Sequence, residues 1–150
     1  MTGGPHLAYT VAVDPPGSGG HRTMAKLLGL SLARTLFTGD FLIFRNTPEP
    51  IFLVERKGIE EIYIETPKLE GHENAEEAWC WKYRVREQVQ EWLDRAAAVG
   101  TPYDKVLFLD ADSLVLRNLD HLLSRFGATQ RMRMGHRIPC MAAPHRRPDH

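Results

Sequence analysis

The sequence predicts an α/β domain built on a mostly parallel sheet flanked by helices. Three observations carry this expectation. Short apolar segments of strand length alternate with two helical patterns. Each helical pattern carries its apolar residues as a one-sided stripe. The last strand-like run, Val106–Leu109, is continuously apolar, as strands covered on both faces are.

The first element, Leu7–Val13, is apolar and partly β-branched, and it runs into Asp14-Pro15-Pro16-Gly17, which reads as a strand entering a loop. That loop is rich in glycine, but it lacks the Gly-Lys-Ser/Thr ending of a phosphate-binding loop and the glycine spacing of a dinucleotide fingerprint, so it reads as flexible. A helix follows from about Arg22 to Phe37, with Met24, Leu27, Leu28, Leu32 and Leu36 as its apolar stripe and Gly39 as its stop. Phe41–Phe44 is the second strand, and a turn through Asn46-Thr47-Pro48 leaves it. Ile51–Val54 and Glu61–Ile64 are both short and apolar; either both are strands, or the second is the strand and the first a loop packed on the core.

The second helix is the best signalled. Asn74 with Glu77 three residues on resembles a capping box, Ala78, Trp81, Val85, Val89, Trp92 and Ala96 recur at helical spacing, and Gly100 with Pro102 stops it. The expected domain is residues 1–124. Residues 125–150 carry six Arg against one acid and three prolines without a sustained period, and read as a basic, poorly ordered tail.

Bulk properties narrow the function classes. A chain of 150 residues with 43% hydrophobic residues has material for one domain with a core. Its formal net charge of zero provides no global field for nucleic acid or an anionic membrane. The sequence contains no apolar run of membrane-spanning length. Two cysteines, Cys80 and Cys140, make no disulfide framework, so a cytoplasmic location is expected.

The chemistry gathers where the last strand ends. Asp110 and Asp112 stand two positions apart, which in an extended segment puts both carboxylates on one side. Ligands of open α/β sheets bind beyond the carboxyl ends of strands. Two carboxylates there make a hard-oxygen site for Mn²⁺ or Mg²⁺, with positions left for water and phosphate. An Asp-x-Asp triplet alone also occurs in ordinary loops and helix caps.

The run from Tyr103 to Leu122 adds more. Tyr103-Asp104-Lys105, the apolar strand, Asp110-Ala111-Asp112, then Asn118-Leu119-Asp120 and Leu122 resemble the metal-site segment of glycogenin-like, family 8 glycosyltransferases. The Leu28–Leu32 stretch, with Ser31 and Leu32, is similar to a segment of the family's first helix. The resemblance implies a GT-A fold that binds a nucleoside-diphosphate sugar, with UDP as the expected nucleotide, and transfers the sugar to an acceptor hydroxyl. It implies that Asp112 coordinates the metal and that Asp110 contacts metal and ribose. It places Ala111 near the nucleoside, with the base at Ala12, Val13 and Asp14. It also makes Lys82 a candidate to neutralise the leaving diphosphate, with Arg84 and Arg86 as rivals. The same position equally suits a lysine whose stem covers apolar surface.

The match has gaps. The family's third metal ligand is a histidine about a hundred residues beyond the acid pair, in a motif that His136 does not reproduce. Asp14 is followed by two prolines and small residues instead of the family's Tyr. The chain therefore reads as the N-terminal part of a longer enzyme, with weak or no turnover by itself. Two alternatives remain open. One is a haloacid-dehalogenase-like phosphatase, in which Asp110 would attack phosphate and Asp112 would protonate the leaving group. The other is a non-catalytic nucleotide-binding remnant.

Overall fold

The computed structural model describes residues 6–15, 17, 19–65 and 75–125, with the backbone alone for 75–83. The expected cap at Asn74 and the basic stretch beyond Arg125 lie outside the described residues. The elements run β1 (His6–Ala12), α1 (Gly20–Arg34), β2 (Asp40–Arg45), β3 (Ile59–Tyr63), α2 (Ala75–Ala98), β4 (Lys105–Phe108) and α3 (Leu119–Leu123). The four strands form one sheet in the order β3-β2-β1-β4, and every neighbouring pair is parallel. The chain is thus α/β, as the alternation of elements predicts.

Strand alternation divides the core into two layers. Ala8 and Ala12 of β1, with Phe41 and Ile43 of β2, face Ala25, Leu28 and Leu32 of α1. Leu7, Leu42 and Phe44 point the other way, against Val85 and Val89 of α2. The two helices therefore cover opposite faces of the sheet.

Between β2 and β3, Ile51 and Phe52 are buried under α1 while Leu53 and Val54 are exposed. The first of the two apolar segments is a packed loop and the second holds the strand. Glu61 shapes that loop from β3: its carboxylate accepts from the Ile51 and Phe52 amides at 2.6 and 3.0 Å and from the Arg45 guanidinium at 2.9 Å.

Four expectations need correction. Helix α1 ends at Arg34, ahead of Phe37. The stop is a Schellman turn, in which the Phe37 amide reaches the Leu32 carbonyl at 3.2 Å and the Leu36 amide reaches Ala33 at 3.1 Å. Leu36 takes the left-handed position at φ 65°, so it lies 77% exposed outside the apolar stripe, and Leu27 is half exposed as well. Gly39 serves a different end, since a Cβ there would stand 2.1 Å from the His6 carbonyl oxygen.

The fourth correction concerns β4. None of its four residues is fully buried, and Phe108 is 43% exposed. Among the described residues β4 pairs only with β1, which leaves it at the edge of the sheet and its side chains partly exposed. Its apolar run marks the edge of this sheet and not its interior. The end of α2, by contrast, follows expectation, with Gly100 at φ 80° and the Thr101 amide donating to the Ala96 carbonyl at 2.9 Å.

Candidate functional site

The strand order places the site. From β1 the chain moves to β2 and β3 on one side and then returns to β4 on the other. The carboxyl ends of β1 and β4 therefore diverge into loops on either side of a crevice, the topological switch point where such sheets bind ligands. An open pocket of about 360 Å³ lies there, lined by Val11, Val13, His21, Met24, Asp110, Ala111 and Asp112.

The acid pair reaches this pocket by a different route from the expected one. The β4 ladder continues to Leu109, whose amide donates to the Tyr9 carbonyl at 2.9 Å. The backbone then turns, and the Ser113 amide closes back on the Asp110 carbonyl at 3.0 Å. Asp110-Ala111-Asp112 is thus a tight turn and not an extended segment, so alternation is not what aligns the two carboxylates. Both line the pocket nonetheless. Both residues are exposed, and neither carboxylate has a hydrogen-bond or ion-pair partner among the described residues.

The segment beyond the turn is strapped to α1. The Val115 amide donates to Ser31 Oγ at 2.9 Å. Asn118 caps α3 through the His121 amide at 2.9 Å, while its Nδ2 donates to the Thr35 and Leu36 carbonyls at 2.9 and 3.1 Å. Asp120 accepts from the Thr38 amide and hydroxyl at 2.7 and 2.9 Å. In this chain Asn118 and Asp120 hold the acid-bearing turn against the first helix.

Asp14 follows the lining residue Val13 and touches His21, and its polar groups are engaged within the fold. Its carboxylate accepts the first-turn amides of α1, His21 at 2.8 Å and Arg22 at 3.0 Å. Its amide donates to Asn46 Oδ1 at 3.0 Å, and its carbonyl accepts from Asn46 Nδ2 at 2.9 Å. Asp14 is therefore the cap of α1, although Gly19 is the residue just before that helix. Arg22 pins the same region by donating to Thr47 Oγ1 and the carbonyls of Glu49 and Pro50.

Of the other sequence-predicted residues, Val13 and Ala111 line the pocket. Ala12 is fully buried in the core under α1, so it offers a ligand no side-chain surface. Lys82 lies on α2 within 75–83, and its side chain falls outside the described residues. Arg84, its rival, donates to the Glu65 carbonyl at 3.2 Å. Sequence reasoning missed His21, Met24 and Val11. His21 lies seven residues beyond Asp14, across two prolines and three glycines, and that separation conceals its return to the strand end.

The donor set is compatible with a divalent cation. Two partnerless carboxylates supply hard oxygens in an open pocket, with room for ligand oxygens beside them. Among the described residues no group of three His, Cys, Asp or Glu side chains gathers to complete a closed metal site. No described helix is long and apolar enough to cross a membrane. The chain matches no protein-family model and no curated protein sequence.

Proposed function

We propose that this chain is the donor-binding domain of a metal-dependent glycosyltransferase of the GT-A type. It would bind a nucleoside-diphosphate sugar, expected to be a UDP-sugar, for transfer to an acceptor hydroxyl. One observation carries the reading: both acids of the glycogenin-like segment line a single open pocket at the β1/β4 switch point, unpaired among the described residues.

In this reading Asp110 and Asp112 hold Mn²⁺ or Mg²⁺. The ion supplies Lewis-acid neutralisation of the charge that builds on the leaving diphosphate. The protein's own part is positional. Asn118, Asp120 and Ser31 hold the acid-bearing segment against α1, Val11 and Val13 give the nucleoside an apolar wall, and Lys82 is the candidate cation for the diphosphate. A preorganised arrangement of this kind lowers the barrier because little reorganises as charge develops.

Calorimetric titration with UDP, with and without Mn²⁺, tests the reading. Binding is expected to require the metal and to weaken at least about tenfold in Asp112→Ala. Metal-independent binding, or none at all, overturns it. A phosphoryl group trapped covalently on Asp110 would establish phosphatase chemistry in its place.

A further inference from the structure

The pocket holds a second carboxylate-dependent arrangement. His21 is half exposed, with its side chain at 51%, and it lines the same wall as Asp110 and Asp112. Its Nδ1 lies 3.3 Å from Asp14 Oδ1, and the Asp14 side chain is fully buried. The same carboxylate is fixed by the His21 and Arg22 amides at 2.8 and 3.0 Å and cannot swing away without uncapping α1. An ionised carboxylate only accepts hydrogen bonds, so the hydrogen between the two groups sits on Nδ1. In the neutral ring this leaves Nε2 as a bare acceptor on the opposite edge. Among the described residues nothing bonds to Nε2.

With a neutral ring, the polar side chains of the pocket wall are all acceptors: two carboxylates and one imidazole nitrogen. The described lining contains no Lys, Arg, Ser, Thr or Tyr side chain. With both carboxylates given to the metal in this reading, the imidazole nitrogen is the acceptor left over, and a ligand that satisfies it brings a hydrogen-bond donor such as a sugar hydroxyl.

We infer that His21 Nε2 accepts a hydrogen bond from a hydroxyl of the bound nucleoside-diphosphate sugar, with Asp14 holding the ring in the required tautomer. The inference rests on the donor-binding reading and adds a recognition residue to it. Two sources share this chemistry, the ribose of the nucleotide and the transferred sugar. They are distinguished by which hydroxyl is coupled to His21.

The test is a double-mutant cycle between protein and ligand, measured by calorimetry in Mn²⁺. The wild type and His21→Leu are titrated with UDP, 2′-deoxy-UDP, 3′-deoxy-UDP and UDP-glucose. If the ribose is the partner, the wild type loses about fivefold in affinity when the relevant ribose hydroxyl is removed, and His21→Leu loses nothing further. If the sugar is the partner, the affinity gained from UDP to UDP-glucose shrinks by about fivefold in His21→Leu, while the deoxy effects are unchanged. Wild type that binds UDP with no coupling to any of these hydroxyls overturns the role of His21 and leaves the donor-binding reading standing. Failure of the wild type to bind any of the four ligands overturns both.

A measurement on the unaltered protein guards against a poorly folded variant. With the imidazoles labelled by ¹⁵N, the Nε2 resonance of His21 is expected to move on saturation with the binding ligand, with Nδ1 remaining protonated. An unmoved Nε2 resonance, or a proton found on Nε2 in the bound state, refutes the proposal.

Discussion

The phenol of Tyr103 donates to the carboxylate of Asp40, joining the loop before β4 to the first residue of β2. Trp92 of α2 donates its indole N–H to the same phenol at 2.9 Å. Asp40 is buried, at 1% exposure, so its charge depends on such donors. Burial and the neighbouring carboxylate both push the Tyr103 phenol well above its ordinary range, which keeps it a donor at neutral pH.

Replacing Tyr103 by Phe removes the donor to Asp40 and the acceptor for Trp92 together. The expected cost is about 1–3 kcal/mol of folding stability, read as a lowered urea midpoint with an unchanged slope. A midpoint equal to that of the wild type would show that the triad contributes nothing.

His6, at 3% exposure, sits at the start of β1, and no hydrogen-bond partner for its Nδ1 is found among the described residues. Burial lowers its pKa from 6.5; Asp120 opposes that shift, Lys105 adds to it and Asp104 opposes it. Below pH 6.5 the unfolded chain thus binds a proton at this ring that the folded chain resists. The stability from neutral His6 is fully present above that pH. It declines as the pH falls below it, until the folded ring protonates too. Thermal midpoints from about pH 8 to about pH 5 should fall for the wild type and fall less for His6→Gln. Parallel profiles for the two proteins would rule this out.

Gly39 is required for close approach. A Cβ there would stand 2.1 Å from the His6 carbonyl oxygen and 2.7 Å from Phe37 Cζ, and the first of these is backbone that cannot swing aside. Gly39→Ala should destabilise toward the upper end of about 1–3 kcal/mol, the range for overpacking. Wild-type stability in that variant would mean that β1 and the β2 entry separate freely.

Leu36 offers the opposite case. It holds φ 65° while 77% exposed, so little burial is lost on truncation. Relief of the left-handed strain exceeds the added chain entropy of glycine, and Leu36→Gly should raise stability by about 1 kcal/mol. A lowered melting temperature would show that the Leu36 side chain makes a contact worth more than the strain.

The legibility of this chain follows the range of the forces involved. Val85, Val89 and Ala96 show their helix in the sequence because periodic burial is a local pattern, and the three are buried as that pattern requires. Asp110 and Asp112 were readable as neighbours at a strand end, but the turn that aims them was not, because its closing bond from Ser113 has no residue-type signature. The edge position of β4 was hidden because an apolar run records partial cover and full cover alike. The capping of α1 by Asp14 lies across a loop, and capping rules look only at the residue next to the helix. His21 was hidden for the same reason.

The internal use of the α1 amides has a kinetic consequence. Many nucleotide sites attract phosphate with the positive end of a helix, but here that end is already satisfied by a carboxylate of the same chain. With Asp110 and Asp112 at the mouth as well, the described walls of the pocket repel a naked polyphosphate. For the proposed nucleotide donor, entry would therefore favour its ion-paired complex over the free nucleotide, so chelating agents should slow capture itself and not only weaken the complex once formed.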